Sequence, residues 1–308
     1  MPHSPLALAA LASAAVPGLD VYDVLRSPHA DVDFDVVIVV DSTGKRWIVR
    51  APRRASAGAA LEAELGLLAQ LAREHDAGVL GFAVPRPAGT AALPEGGRAV
   101  VYEEIRGTRL NLAALEPGPG LAAALGHAIA QIHELPPDIV EDAGLPTYAP
   151  DAYRQRRLAE LDAAIQTGKI PPALAGRWEE RLENVAWWRF ESTPIHGSLG
   201  EHQVVVADGA VAGIIGWAEA RVADPADDLA WLIASATPEA ADSVIEAYAV
   251  GRRELRDPHL VDRARLAAEL ALARWLMHGL RTDEPGIVDD AQDMLADLEA
   301  LLVEAGEI

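Results

Sequence analysis

Apolar residues recur along this chain with two different periods. β-branched runs at Val21–Leu25 and Val36–Val40, then the turn Asp41-Ser42-Thr43-Gly44 and Trp47-Ile48-Val49-Arg50, predict three strands. From Ala59 to Glu74 the spacing becomes helical, with Leu61, Leu65, Leu68 and Leu71 on one stripe. Two more strands are predicted around Phe82-Ala83-Val84 and Ala99-Val100-Val101-Tyr102. After Pro119 the pattern is almost wholly helical: 120–134, 151–166, 172–188, and four further stretches to Glu304. A single interruption stands out. Val204-Val205-Val206, Asp208-Gly209 and the run ending at Ile214-Ile215 predict a β-hairpin, entered through the polar loop His196-Gly197-Ser198-Leu199. At the N-terminus, Leu6, Leu8 and Leu11 before Pro17-Gly18 fit a short packed helix better than a signal-peptide core, because no basic segment precedes them. No run approaches the ~20 apolar residues of a membrane span, so no membrane partner is expected.

Composition narrows the reading. With 308 residues, 50% of them hydrophobic, the chain can bury one large core or two linked ones. The net charge of −21 and pI near 4.7 repel a nucleic-acid backbone, and the densest basic cluster, Arg50 with Arg53 and Arg54, is too small to override that field. The absence of cysteine excludes disulfides, cysteine-ligated zinc and thiol nucleophiles, and is compatible with a cytoplasmic protein. Trp187, Trp188, Trp231 and Trp275 fall at helical spacings that suit a core.

The candidate chemistry lies around the hairpin. His196-Gly197-Ser198 is followed by Gln203, a strand, and Ile215-Gly216-Trp217. Upstream, Arg50 ends a strand and Glu64 lies on the helix after it, while Glu103-Glu104-Ile105-Arg106-Gly107 closes the β-β-β-α-β-β series. Leu115-Glu116-Pro117-Gly118-Pro119-Gly120, Ile132-His133-Glu134-Leu135-Pro136 and Asp224-Pro225-Ala226-Asp227-Asp228-Leu229-Ala230 complete the set. In order and spacing these segments resemble the aminoglycoside and macrolide phosphotransferase family, its macrolide branch in particular. The resemblance implies a bilobal α+β fold of protein-kinase type, with a small antiparallel β-sheet lobe at 1–106, its hinge beginning at 103, and a helical lobe at 107–308 that carries the hairpin 195–217.

The same resemblance implies roles, and departures from them. Arg50 and Glu64 stand where an ion pair holds the nucleotide's phosphates, although such a pair also occurs as a plain strand-to-helix salt bridge. Glu103 and Ile105 fall at the nucleotide-contacting hinge, and the donor would be GTP or ATP. His196 holds the loop through backbone hydrogen bonds. Ser198 replaces the catalytic aspartate, Gly216 the metal-binding aspartate, and Gln203 the metal-binding asparagine or histidine, which leaves Mg²⁺ without its usual carboxylates. Glu201, Glu219 and Asp224 are near in sequence, but each must cross a turn to substitute. The loop Ser27–Asp33 has no glycine and two acids to set against a phosphate.

Three readings follow: an impaired, pseudokinase-like phosphotransferase acting as a binding module; a working kinase of macrolide-type antibiotics with atypical residues; or a variant of a parent that carries aspartate at 198 and 216. The resemblance to the macrolide branch implies a macrolide-like small-molecule ligand, large and apolar enough to suit alanine- and leucine-lined helices, ahead of the polycationic aminoglycosides that an acidic cleft would also draw. Restoring aspartate at 198 and 216 should be tolerated unless residue 216 has a positive φ.

Overall fold

The computed structural model describes residues 3–27, 33–94, 96–253 and 257–308. In chain order, helix α1 (Pro5–Ala15) leads to strands β1 (Val21–Arg26), β2 (Phe34–Asp41) and β3 (Arg46–Pro52), then α2 (Ala55–Asp76), β4 (Pro87–Ala92), β5 (Arg98–Glu103) and the short β6 (Thr108–Arg109). Helices α3 (Leu121–His133), α4 (Asp138–Glu141), α5 (Pro150–Ile165) and α6 (Pro172–Glu183) precede strands β7 (Thr193–Ile195), β8 (Val204–Ala207), β9 (Ala210–Ile214) and β10 (Arg221–Ala223). Helices α7 (Ala230–Ser235), α8 (Pro238–Gly251), α9 (Leu260–Thr282) and α10 (Pro285–Glu304) follow. Two compact units result: Met1–Leu110, Asp138–Leu145 and Glu201–Ala220 form the first, and Asn111–Pro137, Pro146–Gly200 and Arg221–Ile308 the second. The strands of the hairpin therefore belong with the sheet-bearing unit, and the loop His196–Gly200 with the helical one.

In the first unit five antiparallel strands lie in the order β1-β2-β3-β5-β4. Alternate residues of a strand face opposite ways, and here both faces are covered. Val37, Val39, Val49, Ala51, Ala99 and Val101 pack against Leu8, Ala9 and Ala12 of α1. Leu11 of α1 is half-buried and Leu6 exposed. On the opposite face Phe34 and Val100 meet Ala57 and Leu61 of α2. Asp41 fixes the β2–β3 turn by accepting from the Thr43 hydroxyl at 2.6 Å and the Trp47 indole at 3.0 Å, bonds that hold its carboxyl at about 2. The hairpin forms as its Asp208-Gly209 pair predicts, with φ of 52° and 73° at the two turn residues.

One predicted strand is displaced. Phe82 and Val84 are buried, but Ala83 makes only an isolated bridge to Gly213 of β9, and the true β4 begins at Pro87. The apolar triplet marks burial, not strand pairing. The real strand lies at the sheet edge, where small residues and an initial proline are tolerated. Of the loop expected at 27–33, residues 28–32 lie outside the described residues.

The helical unit is built around Trp178, Leu174, Leu182, Leu266, Leu270 and Leu276, beside the two-stranded ladder β7–β10. Helix α6 ends at Glu183, and Asn184 accepts from the Ala186 N–H to start a separate turn at Val185–Trp188. The tryptophan expectation holds only in part. Trp188 is buried, but Trp275 is 38% exposed and gives its indole N–H to Asp290, while Trp231 gives its own to the Asp228 carbonyl. The deepest indoles are Trp178, here, and Trp217, in the first unit. Among the described residues, no helix is long and apolar enough to cross a membrane.

Asp227 is enclosed by Arg157 at 2.8 Å, Arg221 at 2.9 Å and the Tyr153 hydroxyl. Burial alone would raise its pKa, but the two arginines outweigh burial and hold it well below the usual carboxylate range. The stabilisation is therefore complete above the unfolded value of about 3.9 and is lost as pH falls through the folded one. We expect Asp227→Asn to cost about 3–5 kcal/mol at pH 7, because it removes the buried anion shared by Arg157 and Arg221 and leaves Arg157 only its bond to the less buried Glu160. Urea unfolding measured across pH 2–7 should also show a shallower acid decline in the variant.

Candidate functional site

Strand alternation sets Val36, Ile38, Ile48, Arg50 and Tyr102 on the face of the sheet opposite α1. They form one wall of a cleft of about 390 Å³ in the first unit. Ile105, Gly107 and Arg109 continue the wall, and Gln203, Ile215 and Gly216 contribute from the hairpin. Gly107, at φ 144°, is pressed so close to β8 that a Cβ there would lie 2.5 Å from the Val206 carbonyl oxygen. That close approach seats β6 on β8 and delivers Arg109 to the cleft.

Arg50 reaches Glu64 with Nη1 2.9 Å from Oε2, and Glu64 is only 1% exposed. A polar group so deeply buried needs a hydrogen-bond partner of this kind. The guanidinium also lies 4.2 Å from the Phe34 ring centroid. Burial pushes the Tyr102 hydroxyl up, so it stays protonated beside Arg50. Arg46 pairs with Glu104. Glu103 is taken by Lys45 at 3.1 Å, and neither it nor Glu64 lines the cleft.

Gly216 is left-handed, at φ 84° and ψ 47°, and a Cβ on it would lie 3.3 Å from Cγ of Gln203. Gln203 and Gly216 are thus brought together, as the hairpin predicts. Their donor set is one side-chain amide and nothing else, whereas Mg²⁺ depends on one or two carboxylates. Among the described residues, no group of three or more His, Asp or Glu side chains is gathered that could hold a metal ion. Asp224 is committed elsewhere, with Arg263 Nε 2.7 Å from its Oδ2. Gln203 and Gly216 by themselves do not fit a Mg²⁺ site.

His196 and Ser198 belong to the helical unit. His196 is completely buried and Ser198 is exposed. Their loop is held by one carboxylate: Asp228 accepts the His196 N–H at 2.7 Å on Oδ2 and the Gly197 N–H at 2.8 Å on Oδ1. His133 lies between Asp228, 3.2 Å from its Nε2, and the Tyr248 hydroxyl, 2.9 Å from its Nδ1. Burial lowers the His133 pKa and keeps the ring neutral, so Nε2–H donates and Nδ1 accepts. Burial alone would raise Asp228, but the bond from His133 and the backbone N–H of His196 bring it below its ordinary value.

The model of the phosphotransferase enzyme family matches residues 24–267. The chain belongs to this family. Its fold is similar to the crystal structure of macrolide 2'-phosphotransferase MphH from Brachybacterium faecium, at 26% identity and a TM-score of 0.75, over 94% of this chain and 96% of that one. The GDP complex of aminoglycoside 2'-phosphotransferase-IIIa is similar in fold at 17% identity and a TM-score of 0.80, over 97% and 99% of the two chains. A curated protein of Bacillus subtilis (strain 168), "Uncharacterized protein YcbJ", is 26% identical over 210 residues, 64% of this chain and 65% of its own length. The kinase-like fold of the phosphotransferases, with an antiparallel sheet followed by helices, is thus that of this chain.

Sequence reasoning about this chain overlooked three residues at the cleft and the loop. Asp228 lay within a quoted motif, but its partners are 31 and 32 residues away at Gly197 and His196. Arg46 and Arg109 carried no signal beyond adjacent turn and glycine residues. We expect Asp228→Ala to cost about 3–5 kcal/mol, since it leaves the buried His196 N–H, the part-buried Gly197 N–H and His133 Nε2 without their acceptor. Faster amide exchange at His196 and Gly197, with slower change elsewhere in the helical unit, would register the release of the loop.

Proposed function

We propose that this chain is a nucleotide-binding phosphotransferase-family protein whose phosphoryl transfer is impaired, a pseudokinase-like module for a small macrolide-like ligand. The observation that carries the reading is the pair of missing carboxylates: Ser198 and Gly216 occupy the positions that the family resemblance assigns to the catalytic and metal-binding aspartates. Serine is a neutral hydroxyl that cannot accept the proton of an incoming alcohol as a carboxylate does. Losing a general base typically costs ~10²–10⁴ in rate, and losing the metal's charge stabilisation several kcal/mol more. The Arg50–Glu64 pair supports retention of the nucleotide, as do relatives solved with GDP or ADP. The ligand class rests on the likeness to a macrolide 2'-phosphotransferase.

Purified protein given a macrolide, Mg²⁺ and either GTP or ATP should turn over nucleotide at background. Thermal shift should nevertheless register the nucleotide, by ~2.7 kcal/mol at 100 times its Kd. Ser198→Asp with Gly216→Asp should raise turnover by orders of magnitude, and either change alone by much less, because the two residues act as a unit. The left-handed backbone at Gly216 adds a stability cost of about 1–2 kcal/mol to the second change, although aspartate is among the residues that tolerate this conformation. Robust phosphorylation by the unaltered protein would overturn the impaired reading in favour of a working macrolide kinase with atypical residues.

A further inference from the structure

We propose that the cleft of the first unit binds the phosphates of a nucleoside di- or triphosphate directly through arginine, without a divalent cation. This rests on the nucleotide reading of the cleft and specifies how the charge is met. Three guanidinium groups line it, from Arg46, Arg50 and Arg109, against the single carboxylate of Glu104, in a chain whose net charge is −21. Arg46 is paired with Glu104, and Arg50 with Glu64. Arg109 differs from both. It is half-buried, lines the cleft, and has no hydrogen bond or ion pair among the described residues. A guanidinium has five donors in a planar fork suited to phosphate oxygens, and a partly desolvated one without an acceptor gains most from an anion.

The loss at Gly216 works in the same direction. A carboxylate at that point in the wall would attract a cation, but without the cation it would repel a bare phosphate. Glycine removes both effects, and Gln203 beside it is neutral and can donate its amide N–H. The hairpin residues Gln203, Ile215 and Gly216 thus bring no carboxylate to the cleft. Val36, Ile38, Ile48 and Ile105 supply apolar surface for a base.

The test is calorimetric titration of the full chain with GTP, GDP, ATP and ADP, each in EDTA and in MgCl2. The expected Kd for the bound nucleotide is as tight in EDTA as in MgCl2, or tighter, since Mg²⁺ would compete with the arginines for the phosphate. Arg109→Ala should weaken binding by about 10- to 100-fold in EDTA, the range of a charge-assisted bond, with Arg109→Lys partly restoring it. Its side chain makes no bond in the described fold, so an unchanged Tm separates this effect from unfolding. Gly216→Asp should weaken binding in EDTA and make it Mg²⁺-dependent. Binding seen only with Mg²⁺, or an Arg109→Ala variant that binds normally, would overturn the inference while leaving the nucleotide reading standing. No binding of any of the four nucleotides in either condition would overturn both.

Discussion

A buried carboxylate must keep its charge compensated, and this constraint organises both units of the protein. Glu64, Asp224, Asp227 and Asp228 are each nearly or wholly removed from water. Each is matched by named donors: Arg50 for Glu64, Arg263 for Asp224, Arg157 and Arg221 for Asp227, and His133 with two backbone N–H groups for Asp228. Burying such charges contributes little net stability by itself, but removing one partner is costly. The pairs therefore act as pins that fix which elements meet. Arg50–Glu64 ties β3 to α2, Arg263–Asp224 ties α9 to the chain after β10, and Asp228 fixes the loop before β8.

The pins of this kinase-like fold act through the backbone and do not depend on the residues at 198 and 216. Asp228 positions the backbone of His196 and Gly197 whether residue 198 is an acid or a hydroxyl, because the bonds run to main-chain amides. In the same way, the Asp208-Gly209 turn and the β8–β9 register bring residue 216 to Gln203 without help from its side chain. Loop geometry set by backbone bonds is indifferent to which side chain stands at 198. The fold of this family therefore places the loop and the hairpin whatever side chains stand at 198 and 216.

Local pattern in the sequence was enough for most elements. The β-branched runs gave β1, β2 and β3, the leucine stripe gave α2, and Asp-Gly gave the hairpin, because each depends on neighbours within a few residues. The order of motifs was also enough for the family, and for placing Arg50 on a strand with Glu64 on the next helix. Tertiary structure alone decided the rest. The position of β4 depends on pairing with β5, while the more apolar Phe82-Ala83-Val84 is buried without joining that sheet. The exposure of Trp275, the left-handed backbone of Gly216, the partners of Asp228 and the unpaired state of Arg109 all depend on residues remote in the chain. Periodicity records which way a side chain faces within its own element; what it meets there, and at what charge, is fixed only when distant segments pack.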